Sequence, residues 1–358
     1  MEYVDEFRDE RLLKKEARAI EASAKGGRYS FMEVCGTHTM SIFRFGLRQL
    51  LPDNIQLLSG PGCPVCVTPN GYLDKAIAIA RLKDVIVTTF GDMFRVPGSN
   101  STLEHEKASG CDIRTVYSAN DSLDIARRNP EKEVVFLGVG FETTAPTVAQ
   151  SVLTAKEYGI KNYSVLSAHK TMSEALAALA RSGVKIDGFI LPGHVSAVTG
   201  ISIYRFLAKR YKKRCVVSGF EPIDIMQSVL LLVRQKAPKV EIQYKRIVSP
   251  GGNALARSCM NKVFEPCDSV WRGVGNIAKS GLKIRRRYSV FDAENRFDLK
   301  IPPPKEDKLC RCGDVLKGAI IPTQCALFGA RCTPEHPIGA CMVSTEGACA
   351  AYYKYRVI

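Results

Sequence analysis

The stretch "EVVFLGVGFETTAPT", residues 133–147, runs from a continuous apolar segment through a glycine-rich turn into a helical start at Ala145 and Pro146. A short β-branched and aromatic run without polar alternation reads as a strand buried on both faces, the pattern of a parallel sheet. The same rhythm recurs from about residue 54 to 250 in "NIQLLS" (54–59), "DVIVTTF" (84–90), "IRTVY" (113–117), "YSVLS" (163–167), "GFILPG" (188–193), "CVVSG" (215–219) and "IQYKRIV" (242–248). Between them "LDKAIAIARL" (73–82) and "MSEALAALARSG" (172–183) carry a helical pattern and supply crossovers. Eight such strands predict two parallel-sheet α/β domains, with a break at the charged, Pro-containing "RRNPEKE" (127–133). The expected division is 30–128, 129–250, and a third unit 251–358 joined by an N-terminal helix over 1–29.

The loops after the strands hold the unusual chemistry: Glu142, His169, Lys170, His194, Glu221 and Asp224 all fall there. In open α/β sheets ligands bind outside the carboxyl ends of the strands, so the two domains are expected to face a common crevice. After residue 250 the rhythm ends, and Pro302, Pro303 and Pro304 read as a stiff linker into a Cys-rich tail, mostly helical or irregular.

Composition excludes several classes. Apolar residues make up 46% of the 358 and charged ones 24%, as in ordinary globular proteins, and runs such as "VLLLV" (229–233) are far too short to span a bilayer. The opening "MEYVDEFRDERLLKKEARAI" is charged and amphipathic, without the apolar centre of a secretory signal, so a cytoplasmic, reducing setting is expected. The net charge of +15 includes "KRYKKR" (209–214) and "KIRRR" (283–287), which read as solvated basic faces. No zinc-finger spacing or aromatic-interleaved basic motif accompanies them, and neither nucleic acid nor membrane is expected as a partner.

In a reducing setting thirteen cysteines suggest ligands, redox groups or buried small side chains. Six of them, Cys310, Cys312, Cys325, Cys332, Cys341 and Cys349, crowd into the tail. Cys310, Cys325, Cys332 and Cys349 form a C-x14-C-x6-C-x16-C series, suited to tetrahedral zinc or to an iron–sulfur cluster. Scattered ligands favour the cluster, leaving Cys312 and Cys341 as buried or spare thiols. Cys35 and His38 in "MEVCGTHTM" (32–40) offer a thiolate and an imidazole, or simply a buried Cys and a capping Thr–His. "LLSGPGCPVCVTP" (57–69) holds Cys63 and Cys66 in C-x-x-C spacing. With Thr68 as cap and Pro69 at the first helical position, both thiols fall in the loop before the helix, unlike the thioredoxin arrangement.

Taken together, "EVCGTHT", "LLSGPGCPVCVTP", "VGFETTAPT", "SAHK", "LPGHVS", "GFEPID" and the tail from "CALFG" to "CTPEHPIGACMVSTEGACAAYYKY" resemble the HypD family of nickel–iron hydrogenase maturation factors, in the same order and over essentially the whole chain. The resemblance implies a 4Fe-4S cluster on Cys310, Cys325, Cys332 and Cys349, transient iron at Cys35 with His38 beside it, and a redox-active pair Cys63/Cys66. It implies a HypC-type chaperone and a HypE-type cyanide donor as partners, and iron acquiring cyanide and carbon monoxide to give the Fe(CN)2CO unit. His38 is then expected as proton donor or supporting partner, and Glu142, His169, Lys170 and His194 as crevice residues. A stand-alone, cluster-linked thiol–disulfide reductase and a basic, zinc-bearing nucleic-acid binder are the rival readings.

Overall fold

The computed structural model describes residues 5–355. The apolar runs form strands, and the chain orders them non-sequentially. Strands β1 (Tyr29–Glu33), β2 (Ile55–Ser59), β3 (Val85–Thr89), β4 (Ile113–Thr115), β5 (Glu133–Gly138), β6 (Tyr163–Ser167), β7 (Gly188–Pro192), β8 (Arg214–Ser218) and β9 (Val240–Ile242) are followed by β10 (Phe264–Trp271) and β11 (Gly275–Ile284). One parallel sheet has the order β2-β1-β7-β8-β9 and the other β4-β3-β5-β6. The α/β class with two parallel sheets and a Cys-rich terminal region is as expected.

The assignment of chain segments to those sheets differs from expectation. β1 pairs with β7 through Phe31 opposite Gly188, so residues 29–59 and 188–242 build one sheet. β3 pairs with β5 through Val85 opposite Glu133, so the expected break at 127–133 lies inside the other sheet. The first α-helix, α1 (Glu10–Ser23), buries Leu13 and Ile20 against Phe31, Ile223 and Val229 of the first sheet's core, and does not join the tail. Residues 1–4 of the expected N-terminal helix lie outside the described residues. The helix Ala254–Val263 and the β10–β11 hairpin bury Met260, Val263, Phe264 and Leu282 in the core of the second sheet. The expected strand 242–248 is confined to Val240–Ile242, because the chain turns at Tyr244–Val248.

The hairpin is an addition that sequence reading missed. Its tip drives Trp271, fully buried, against Phe141 at 6.0 Å between ring centres, and the indole Nε1 donates to Ser280 Oγ at 2.8 Å. Trp271→Ala removes the largest buried side chain in this wedge and is expected to cost about 3–5 kcal/mol, read as a lower urea midpoint with an unchanged slope. A loss below about 1 kcal/mol would show that the hairpin tip is not a structural wedge. No described helix is long and apolar enough to cross a membrane.

Candidate functional site

At the carboxyl end of β1 the chain enters α2 (Gly36–Arg44) with Cys35 as its N-cap residue, in extended backbone conformation. At the end of β2, Gly62 lies so close to Cys35 that an added Cβ would sit 2.2 Å from its nitrogen, and Gly36 N–H donates to Gly62 O at 3.2 Å. Only glycine permits that approach, which laces the two motif loops together. The C-x-x-C does not lie in open loop. Pro64 at the first helical position starts a one-turn helix, α3 (Pro64–Val67), and Cys63 caps it by accepting from Cys66 N–H at 3.2 Å. Thr68 closes that turn by donating to Pro64 O at 2.8 Å, and the next helix, α4 (Asn70–Ala80), begins one residue later than expected with Pro69 at the N-cap.

Loops from both sheets enclose a crevice of about 630 Å³ whose wall includes Cys35, Gly62, Pro64, Asp92, His194 and Glu346. Its volume suits a small group or a partner's extended end. The tail closes it: Thr37 Oγ1 donates to Glu346 Oε1 at 2.6 Å and Ser344 Oγ to Asp92 Oδ2 at 2.8 Å. Burial, with Glu346 beside it, pushes the Cys35 thiol up to about 12. Glu33, which the sequence gave no reason to single out, accepts from Cys35 N–H at 3.2 Å and from Thr39 Oγ1 at 2.5 Å, and burial pushes it up to about 8. His38 is wholly buried at 4.9 Å from the ring of Phe220, which in turn lies 4.2 Å from His194. Its Nε2 lies 2.9 Å from Gly219 O, as its donor, and burial pulls the imidazole down to about 4. That bond ties α2, which starts at Cys35, to the loop after β8.

Cys63 and Cys66 do not open into the crevice; they are 3% and 0% exposed behind the wall made by Pro64 and Val65. On their far side is Cys341, fully buried in the helix Ala340–Val343, which packs on α3 and brings this thiol within electrostatic reach of Cys66, Cys312 and Cys349. Cys310, Cys312, Cys325, Cys332 and Cys349 line one small enclosed cavity walled by Leu327, Phe328 and Met342. Ile338 N–H donates to Cys332 Sγ at 3.3 Å, and Cys310 Sγ lies 3.2 Å from Cys312 Sγ. Among the described residues no three His, Cys, Asp or Glu side chains converge on a single-ion site. Thiols spread around a dry cavity, with an amide donating to one sulfur, are the donor set that an iron–sulfur cluster takes.

The whole-chain comparisons decide the family. Residues 11–356 match the HypD model, described as "Hydrogenase formation hypA family". The hydrogenase maturation factor HypD of Cupriavidus necator is 47% identical, covering 99% of this chain and 97% of its own length. Those of Rhizobium leguminosarum bv. viciae and Azotobacter vinelandii are 46% and 45% identical, over 99% of this chain and 96% and 97% of theirs. The chain belongs to the HypD family of hydrogenase maturation factors.

Several residues on HypD motifs sit away from the crevice. Of Glu142, His169, Lys170 and His194, His194 alone contributes to its wall. His169 faces Ser167 Oγ at 3.1 Å and the ring of Phe264, and Lys170 Nζ donates to Ser269 Oγ and Val270 O, so the hairpin claims both. Glu221 pairs with Arg8 and Asp224 with Arg246, which accounts for them structurally. Glu142 is buried next to the crevice; its Oε1 accepts from Met172 N–H at 2.9 Å, while Oε2 has no partner among the described residues.

Burial pushes the Glu142 carboxyl from 4.5 up to about 7. The folded chain then keeps a proton that the unfolded chain loses. The resulting stabilisation is full below 4.5 and is lost as pH rises through about 7. Glu142→Gln is therefore expected to weaken the fall in urea midpoint between about pH 5 and pH 8. An identical fall in both proteins would contradict this protonation.

Proposed function

We propose that this HypD-family chain is the scaffold on which an iron atom, its cargo, receives cyanide and carbon monoxide to become the Fe(CN)2CO unit of a nickel–iron hydrogenase. Cys35 is the ligand from this chain, in a crevice large enough to admit a partner's end. A HypC-type chaperone completes the iron's coordination and a HypE-type protein delivers cyanide as a protein-bound thiocyanate. Soft thiolate donation and exclusion of water are what an iron with strong-field ligands needs. We place this work in the cytoplasm, where the thiols stay reduced.

The observation that carries the reading is the succession of thiols behind the crevice wall, from Cys63 and Cys66 through Cys341 in the helix packed on α3 to the cavity of Cys310, Cys312, Cys325, Cys332 and Cys349. Releasing cyanide from a thiocyanate takes two electrons and one proton and returns the donor's sulfur as a thiol. The Cys63/Cys66 dithiol supplies two electrons and two protons as it closes to a disulfide. Cys341, within electrostatic reach of both Cys66 and Cys312, restores it by thiol–disulfide exchange, leaving the oxidation on Cys341 and Cys312. A 4Fe-4S cluster on Cys310, Cys325, Cys332 and Cys349 would supply single electrons from a one-electron donor protein to reopen that second pair.

Anaerobically isolated protein is expected to carry iron and acid-labile sulfide in equal amounts, with broad absorption in the blue. Stoichiometric zinc without that absorption would overturn the cluster and with it the electron supply.

A further inference from the structure

The tip of the β10–β11 hairpin carries a second side chain that the thiol chemistry does not use. Arg272 is 6% exposed, and its guanidinium is held by neutral oxygens alone: Nε donates to Thr68 O at 2.9 Å and Nη2 to Asn70 Oδ1 and to Pro97 O. Its backbone N–H donates to Val67 O at 2.8 Å, so it grips the end of the turn that bears Cys66. Among the described residues it makes no ion pair. Gly273, next along, packs directly on the backbone of Gly313, where an added Cβ would sit 2.3 Å from Gly313 Cα. That contact seats the hairpin tip, and Arg272 beside it, against the helix Cys312–Leu316, whose Cys312 and Val315 line the tail cavity. The arginine in the cavity's lining, Arg311, is half-exposed and matched by Asp314 at 2.8 Å.

A guanidinium buried among neutral groups is costly unless an anion lies close by. A four-iron cluster on four thiolates is such an anion, a dianion when oxidised and more negative by one charge after taking an electron. We propose that Arg272 is the buried counter-charge of the iron–sulfur site, a positioning residue that favours the reduced cluster and raises its reduction potential. The inference rests on the cluster reading above and adds what this chain does to the group's potential. A fixed positive charge stabilises the more negative state, and the low local dielectric of the cavity enlarges the effect.

The test is a dithionite titration of the anaerobically purified full chain, followed by the electron paramagnetic resonance of the reduced cluster. Arg272→Met, which keeps most of the apolar stem and removes the charge, is expected to lower the equilibrium constant for one-electron reduction about tenfold, a downward shift of about 59 mV. Asn70→Asp sets a carboxylate against the guanidinium without deleting it, and is expected to shift the midpoint the same way. It also decides the matter if Arg272→Met fails to hold its cluster. Arg272→Lys should stay near the wild-type value, and Arg311→Gln should leave it unchanged. A wild-type midpoint in fully loaded Arg272→Met or Asn70→Asp protein, or an Arg272→Lys shift as large as that of Arg272→Met, overturns the inference while leaving the cluster reading intact. Wild-type protein with no iron, no sulfide and no signal overturns the cluster reading itself.

Discussion

A Cys35→Ala protein purified with its chaperone partner is expected to lose the iron cargo, with retention falling at least about 100-fold, while its blue absorption and acid-labile sulfide stay at wild-type levels. The separation follows from the geometry. Cys35 lies in the crevice between the two sheets, whereas the cavity proposed for the cluster is lined by tail cysteines on the far side of α3. The substitution deletes one sulfur at the N-cap of α2, where Cys35 makes no side-chain capping bond, so the helix start is retained. Elemental analysis of the complex, set against visible absorption of the same sample, reads both quantities. Simultaneous loss of cargo and sulfide would mean that the two centres are not independent. Unchanged iron beyond the cluster's share would remove Cys35 as the ligand.

Cys341→Ala is expected to strand the pair at the crevice wall. Cys341 is fully buried in the helix packed on α3 and lies within electrostatic reach of Cys66 on one side and of Cys312 and Cys349 on the other. Without it, the Cys63–Cys66 disulfide formed in one round has no neighbouring thiol to open it, and its re-reduction by reduced cluster should slow by roughly tenfold or more. Cluster content should be unchanged, because Cys341 is outside the lining of the cavity. Alkylation of free thiols before and after dithionite, read by mass spectrometry on the peptide holding Cys63 and Cys66, measures this directly. A pair that recovers at the wild-type rate would show that electrons bypass Cys341.

What the sequence revealed depended on whether the signal was local. β3, β5 and β7 were legible because "DVIVTTF", "EVVFLGV" and "GFILPG" are continuous apolar runs, and their buried positions agree. β1, "YSFME", was missed because its apolar run is short and interrupted by polar residues. The hairpin was masked by its basic residues and by a register irregularity between Cys267 and Ser269 that breaks the alternation. Sheet membership was not local at all: β1 lies beside β7, which is why a division by chain position failed.

The same contrast holds at the site. Cys35, Cys63 and Cys66 were visible as motif residues, but the single turn of helix between the last two comes from Pro64 and a sulfur cap. His169 and Lys170 read as loop chemistry, and tertiary packing turned them to the hairpin. Cys341 and Cys312 looked spare because spacing counts ligands and cannot show that the fold gathers these thiols beside α3 and the tail cavity. Glu33 and Arg272 carry no spacing signal; only their burial marks them.

On the proposed function, iron gathers its diatomic ligands on this chain at Cys35. Infrared spectroscopy of the purified complex with the chaperone, isolated anaerobically from cells making the full maturation set, tests it most directly. Cyanide and carbonyl stretching bands are expected in the wild-type complex and none in the Cys35→Ala complex. Bands of undiminished intensity in the variant would contradict it.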